Sequence, residues 1–276
     1  MAQWTYINNE LVHESDAKLH FRDLAFLRGY GAFDFLRVKE GYPLFMMEHL
    51  CRLMSSAQQL RLPLPPVTEL AKKLHTLIEK NELKDGGIRL TLTGGYSLDG
   101  YTPSDPNLVI SVHTFQPPSG EQEKKGIVLI THEYQRQLPH IKSTDYLTPI
   151  WLQPMLREKQ GDDLLYHFQG KVSECPRSNF FMVTRNKVIL TAADGMLEGI
   201  TRQRVLRLAG KKFKTAVSSI SMEDVLGADE AFITSTTRGI LSVCRINDHP
   251  INTGPVTLEL RALLEADTRS YISEQK

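Results

Sequence analysis

The chain has 276 residues, 41% of them hydrophobic and 24% charged, with a formal net charge of +1. That length suits one large domain or two medium ones around a sizeable core, and the near-neutral balance gives no field-driven attraction to nucleic acid or to an acidic membrane surface. No apolar run approaches a bilayer span, and residues 1–10 lack the basic and apolar regions of a signal peptide, so the cytoplasm is the expected location.

Alternation and turn residues predict a first strand over 4–11, turning at Asn8 and Asn9. They predict a strand over 33–38, a turn over 39–42 and a short strand over 43–46. Leu50, Leu53, Met54, Ala57 and Leu60 recur at helical spacing, so residues 48–60 read as a helix stopped by Pro63, Pro65 and Pro66. Residues 67–80 read as a second amphipathic helix with the stripe Leu70, Leu74, Leu77 and Ile78. Strands are expected over 88–93 and 108–115. Residues 116–125 carry two prolines, a Ser-Gly pair and several charges, which marks an interdomain linker between 1–115 and 126–276. Beyond it the pattern gives a strand over 127–131, the segment around Lys142, a helix over 149–160 and strands over 164–168, 180–184 and 187–191. A helix after Thr201, a strand over 230–234 and a terminal helix from about 256 complete the order.

Cys51, Cys175 and Cys244 are scattered and odd in number, and are expected as buried free thiols. The histidines show no pair at helical offset beside a carboxylate pattern, so no metal is expected. No Gly-x-Gly-x-x-Gly opens a βαβ unit, which speaks against a dinucleotide site.

Four segments carry chemistry. Lys142 stands in Ile-Lys-Ser-Thr-Asp-Tyr. Most lysines are solvated surface residues, but this one follows an apolar residue and precedes a run that reads as a helix cap, a setting that suits a nucleophilic amine. Glu174 alone reads as an exposed or capping carboxylate. Its functional reading rests on the following Arg-Ser-Asn-Phe-Phe, a polar turn re-entering an apolar strand. Residues 197–202, Leu-Glu-Gly-Ile-Thr-Arg, lead into a helical pattern. Thr201 is either a plain N-cap or part of a helix N-terminus whose free N–H groups bind a phosphate. Ser235-Thr236-Thr237 is either a polar turn after a strand or a second phosphate contact. Arg52 is a surface arginine unless a phosphate lies nearby, when it becomes an anchor. An amine, a carboxylate and two hydroxyl-rich turns are what a protein needs to hold pyridoxal 5'-phosphate. The amine forms a Schiff base, the carboxylate keeps the ring nitrogen protonated, and the turns donate to the phosphate.

In their joint order these segments resemble the class IV (fold type IV) pyridoxal-phosphate enzymes, over nearly the whole chain. Residues 28–38, Arg-Gly-Tyr-Gly-Ala-Phe-Asp-Phe-Leu-Arg-Val, are similar to the family's Gly-x-Gly-x-aromatic-acidic segment, and His49-Leu50-Cys51-Arg52-Leu53 to its His-x-x-Arg-Leu motif. The resemblance implies that Lys142 is the Schiff-base lysine, that Arg52 binds phosphate, and that Glu174, followed by Asn179, partners the pyridine nitrogen. It implies that Leu197 packs on the ring, that Ile200 and Thr201 bind phosphate, and that Thr236 is a further phosphate ligand. It also implies an α/β fold of two domains, a small N-terminal α/β domain and a larger C-terminal α/β pseudo-barrel. The cofactor is expected in the cleft between them, and a homodimer as the active unit.

The chain departs from the family near residue 93. Thr93-Gly94-Gly95-Tyr96-Ser97-Leu98-Asp99-Gly100 lacks the arginine that receives the substrate α-carboxylate in well-known D-amino acid aminotransferases, and Ser242-Val243 replaces the family's Pro-Val. Arg28 and Arg177 are the expected substitutes, with Arg89 third. Phe33 and Thr237 are expected to line the substrate site. The resemblance is closest to the D-amino acid branch. It implies a transaminase moving an amino group between a D-amino acid and a 2-oxo acid such as 2-oxoglutarate or pyruvate. A branched-chain L-amino acid aminotransferase, an aminodeoxychorismate lyase and a degenerate cofactor-binding scaffold are the alternatives.

Overall fold

The computed structural model describes residues 4–114 and 117–276. Phe115 and Gln116, the end of one expected strand and the start of the expected linker, lie outside them. The chain forms two compact units. One comprises Met1–Gln116, Ile141–Asp145 and Ser270–Lys276; the other comprises Pro117–His140 and Tyr146–Arg269. Ile141–Asp145, expected with the C-terminal residues around it, therefore packs with the N-terminal unit.

In the first unit a six-stranded antiparallel sheet runs in the order Glu10–His13, Trp4–Ile7, Leu108–His113, Gly86–Thr93, Gly31–Lys39, Tyr42–Pro43. Alternate residues of the central strands, Ala32, Leu36 and Val38 with Ile88, Leu90 and Leu92, are buried in one core. Two helices contribute to that core, Met46–Gln59 through Leu50 and Leu53, and Val67–Lys80 through Leu70, Leu74 and Leu77. Truncating any of these leucines to Ala would cost about 2–5 kcal/mol. The strand expected over 43–46 ends at Pro43, and the helix begins at Met46 after Phe45, whose φ of 53° makes the corner. Cys51 is exposed on this helix, against expectation, because Leu50 and Leu53 rather than Cys51 face the sheet.

In the second unit, among the described residues, an 11-stranded mixed sheet runs Thr215–Ser218, Ile189–Ala192, Ser178–Val183, Glu230–Ser235, Gly239–Ile246, Ile127–Glu133, Asp163–Phe168, Lys171–Val172, Ile220–Ser221. Glu174–Cys175 pairs with Ser178–Val183, and His249–Pro250 with Gly239–Ile246. The first and last strands of that path, Thr215–Ser218 and Ile220–Ser221, are consecutive in the chain, so the sheet curls back on itself into a pseudo-barrel. Ser178–Val183 is buried at every residue because both its faces are covered. Phe180 and Met182 enter one core, while Phe181 and Val183 enter another with Val205, Leu208 and Leu260 of the helices Ile200–Ala209 and Pro255–Ser273.

Several local expectations are corrected. The segment read as a linker contains the helix Gly120–Lys125, started by a capping box between Ser119 and Gln122. The helix expected over 149–160 is two pieces, Leu147–Trp151 and Gln153–Glu158. Pro154 near the start of the second piece has no N–H to continue the ladder from the first.

Candidate active site

Two clusters of functional side chains form, one in each unit. In the first, Lys142 lies in an extended stretch rather than beside a helix cap. Its carbonyl accepts from Phe33 N (2.9 Å), Thr144 N donates to Gly31 O (3.0 Å), and Ser143 bridges to Ala32. The Ser-Thr-Asp-Tyr run ends at Tyr146, the N-cap residue of the helix Leu147–Trp151, which has no side-chain cap. The Thr144 hydroxyl donates to Gly29 O instead (2.7 Å), and Lys142 N donates to Ser56 Oγ (3.2 Å). The lysine is therefore docked on the strand Gly31–Lys39 and on the helix Met46–Gln59.

The Lys142 ammonium stands 4.8 Å from the centre of the Phe33 ring, and the Arg89 guanidinium 3.8 Å from the same centre. Both are in cation–π range. Arg89 Nε also donates to Thr91 Oγ1 (3.1 Å). The sheet places Phe33 opposite Thr91 and Phe35 opposite Arg89, so these four side chains share one face, the one turned away from the leucine core.

Asp34 points to the other face and is fully buried. Its oxygens receive Arg52 Nε (2.8 Å), Arg52 Nη2 (2.8 Å) and the His49 ring nitrogen Nδ1 (2.7 Å). His49 and Arg52 are three residues apart and so lie on one helix face. Burial alone would push the Asp34 carboxyl up; the Arg52 guanidinium, then His49, outweigh it and hold it well below the usual carboxylate range. Burial lowers the His49 proton affinity, and Asp34 only partly offsets this. Arg52 is thus oriented by a bidentate carboxylate. The sequence named Arg52 and marked Asp34 only as the acid of the segment over residues 28–38, without a role. The available signal was a lone acid at a core-facing position of an apolar strand.

In the second unit Glu174 and Cys175 pair with Asn179 and Ser178 across the two-residue turn Pro176-Arg177. Glu174 Oε1 accepts from Arg136 Nε (2.9 Å) and Oε2 from Leu197 N (2.9 Å). Asn179 Nδ2 donates to Leu197 O (2.7 Å). Glu174, Asn179 and Thr234 are directly opposed across three strands and share a face. Leu197 is thus fixed over Glu174 and Asn179 through its own backbone. Arg136 was missed, and no pattern in its stretch of sequence marks it.

The helix Ile200–Ala209 starts after Gly199, so Thr201 lies inside its first turn and is not its N-cap. Gly199 supplies no side-chain cap and the first turn holds no acid, which leaves the terminal N–H groups suited to an anion. A Cβ on Gly199 would stand 1.9 Å from Asn179 Oδ1, so this turn can lie against Asn179 only as glycine. Thr236 and Thr237 occupy the turn between Glu230–Ser235 and Gly239–Ile246 and are half-buried. Among the described residues the buried Thr234 hydroxyl has no hydrogen-bond partner. A fixed anionic carboxylate, an uncapped helix N-terminus, a hydroxyl-rich turn and an unpartnered buried hydroxyl fit a phosphorylated, cationic heteroaromatic ring.

Arg28 and Arg177 are both exposed. Arg28 closes the short helix Leu24–Arg28 and donates through Nη1 to Leu27 O (3.0 Å). No group of three or more potential metal ligands occurs among the described residues.

The family model described as Amino-transferase class IV matches residues 31–246. A D-alanine aminotransferase of Bacillus licheniformis is 28% identical, covering 97% of this chain and 96% of its own. A putative branched-chain-amino-acid aminotransferase of Methanocaldococcus jannaschii is 30% identical, covering 93% of each chain. Among solved structures, a T.th. branched-chain amino acid aminotransferase with pyridoxamine 5'-phosphate superposes with a TM-score of 0.90 at 25% identity, covering 98% of this chain and 95% of its own.

Proposed function

We propose that this chain, which belongs to the class IV aminotransferases, moves an amino group between a D-amino acid and a 2-oxo acid such as 2-oxoglutarate or pyruvate. Its cofactor is pyridoxal 5'-phosphate, which supplies an electron sink when bound. Lys142 would hold the cofactor aldehyde. Glu174, held by Arg136 and Leu197 N, would hold the proton on the ring nitrogen. Leu197 would cover the ring. Arg52, Ile200, Thr201 and Thr236 would hold the phosphate. Lys142 Nζ, freed by the incoming amine, would take the substrate Cα proton and deliver it to the adjacent cofactor carbon.

The observation that carries an acidic substrate is the Phe33 ring, against which both Lys142 and Arg89 lie. A carboxylate in a partly desolvated site needs a cation. Arg89 stands against the same Phe33 ring as the Lys142 amine. Arg177 stands in the turn following Glu174, and exposed Arg28 is open to a second copy of the chain. Thr237, next to Thr236, would meet the same substrate. The D-configuration is supported by the end-to-end likeness to the D-alanine enzyme. A branched-chain L-amino acid activity is the second reading, supported by the archaeal relative.

Half-reactions with D- and L-alanine, D- and L-glutamate and L-leucine decide between them, followed by loss of the visible absorption band of the bound cofactor. D-alanine and D-glutamate should react fastest. Faster reaction of L-leucine would transfer the assignment to the branched-chain reading, and pyruvate release from aminodeoxychorismate without an amino acceptor would transfer it to a lyase. Lys142→Ala should lose both the band and turnover; retention of either would end the proposal.

A further inference from the structure

The turn carrying Thr236 and Thr237 also carries Arg238, which has no part in the chemistry proposed above. Ser235 pairs with Gly239, leaving a three-residue loop, and Gly239 takes a φ of 61° to close it. Arg238 N donates to Ser235 Oγ (3.2 Å). That bond shapes the loop but needs no particular side chain at position 238. The side chain leaves the loop and ends on Asp163, with Nη1 to Oδ2 at 2.9 Å. Asp163 is the first residue of the strand Asp163–Phe168. Its side chain is 7% exposed, and its other oxygen accepts from Leu164 N (3.0 Å). The Arg238 side chain is 23% exposed. The pair therefore joins a half-exposed hairpin tip to a buried, immobile carboxylate.

The placement of Asp163 gives this link a purpose. Its strand lies against Glu174–Cys175, and Asp163 and Glu174 both act electrostatically on the Cys175 thiol and the Tyr166 hydroxyl. The hairpin is thereby tied to the neighbourhood of the carboxylate that would face the ring nitrogen. At the base of the same hairpin the Thr234 hydroxyl, 1% exposed and without a partner among the described residues, lies in line with Asn179 and Glu174. A buried hydroxyl left unpaired is costly, so this end of the hairpin calls for a polar ligand atom.

We propose that Arg238 is a positioning residue for the cofactor phosphate: its ion pair with Asp163 holds the Thr236–Thr237 loop where its donors meet the phosphate. This rests on the cofactor site assigned above. Neutralised by Asp163, Arg238 acts through the loop's geometry rather than as a free positive charge. The single Nη1–Oδ2 contact is one that an ammonium can also make, so a lysine at this position restores most of the function.

The test uses the full-length chain freed of cofactor and titrated with pyridoxal 5'-phosphate and, separately, with pyridoxal, following the visible band. Thermal melting checks the fold, and ³¹P NMR of the reloaded protein reports on the phosphate. Arg238→Gln should weaken pyridoxal 5'-phosphate binding by roughly tenfold or more, the scale of a lost charge-assisted contact. It should shift the ³¹P resonance and leave pyridoxal binding unchanged. Arg238→Lys should restore the affinity, and Asp163→Asn should repeat the phosphate-selective loss. Should buried Asp163→Asn fail to fold, Arg238→Gln at the hairpin tip decides alone. Equal weakening of both ligands, or of neither, overturns the proposal while leaving the cofactor site intact. Absence of any band in the unsubstituted chain overturns the cofactor site itself, and the proposal with it.

Discussion

Glu174 and Arg52 are each held in a charge-assisted pair, and the two pairs give opposite expectations on substitution. Glu174→Gln keeps the shape but removes the charge that Arg136 and Leu197 N receive. It should slow the amino-acid half-reaction far more than it weakens cofactor binding. Arg52→Ala should do the reverse, losing about 1.5–3 kcal/mol of cofactor affinity. It also strands the buried Asp34 carboxylate, at a cost of about 3–5 kcal/mol of stability. Cofactor titration beside stopped-flow half-reactions checks both, and identical behaviour of the variants would erase the division of roles. The same cluster sets an acid limit. His49 has its proton affinity lowered, first by burial, and Asp34 is held low against burial by Arg52 and His49. Both therefore bind protons more readily when unfolded. Their contribution to stability is complete above about pH 6.5, the unfolded histidine value. It declines as pH falls, first through the His49 difference and then, below about pH 4, through that of Asp34. Urea unfolding from pH 8 down to pH 4 should show this, and His49→Gln should flatten the upper part of the slope. A slope unchanged by that substitution would remove His49 from the account. Lys142, Glu174 and Arg52 were legible in sequence because each sits in a short motif. The pairing of Arg52 with Asp34 and of Glu174 with Arg136 was not, because the two members of each pair stand 18 and 38 positions apart.

At the scale of elements, the turn from Leu197 into the helix Ile200–Ala209 depends on the missing side chain of Gly199. Gly199→Ala would drive a methyl group into the Asn179 carboxamide. It should displace Leu197 and weaken the cofactor together with its phosphate contacts; a variant with unaltered cofactor affinity would show that the turn yields freely. The terminal helix Pro255–Ser273 is capped from outside its own sequence. Glu230 accepts from Val256 N (3.1 Å), Thr257 N (2.8 Å) and Thr257 Oγ1 (2.8 Å). Glu230→Ala should cost about 2 kcal/mol in urea unfolding, and a change below about 0.5 kcal/mol would deny the cap its importance. Elements with their own periodicity were readable: the helix expected over 67–80 is Val67–Lys80. Gly239–Ile246 went unread although it is eight residues long. Its six central residues mix Ser242, Cys244 and charged Arg245 among apolar ones, and its partners Glu230–Ser235 and Ile127–Glu133 reach it from before in the chain. Two-residue strands such as Lys171–Val172 and Ile220–Ser221 exist only through the strands they pair with. No local pattern can announce them.

At the scale of the whole molecule, large apolar side chains stand open to solvent in both units, among them Leu98 at 91% and Trp151 at 72% exposure. We propose that side chains such as these are covered in a homodimer. Sedimentation should give twice the chain mass, and Leu98→Asp with Trp151→Asp should shift it toward a single chain; an unshifted value would place the contact elsewhere. The route of the chain between the two units has no local signal in the sequence. It contributes Ile141–Asp145 and Ser270–Lys276 to the first unit from far beyond that unit's sheet, and Ile141 belongs to that unit's core. A ribosome that has released the first 116 residues has therefore not yet delivered Ile141 to that core. The core beneath the sheet of the first unit lacks Ile141 until the segment bearing Lys142 arrives. Nascent chains stalled before residue 141 should yield to brief protease treatment within the first 114 residues, and chains stalled well after residue 145 should resist it. The residue that would carry the chemistry is, on this account, also the signal on which the first half of the protein closes.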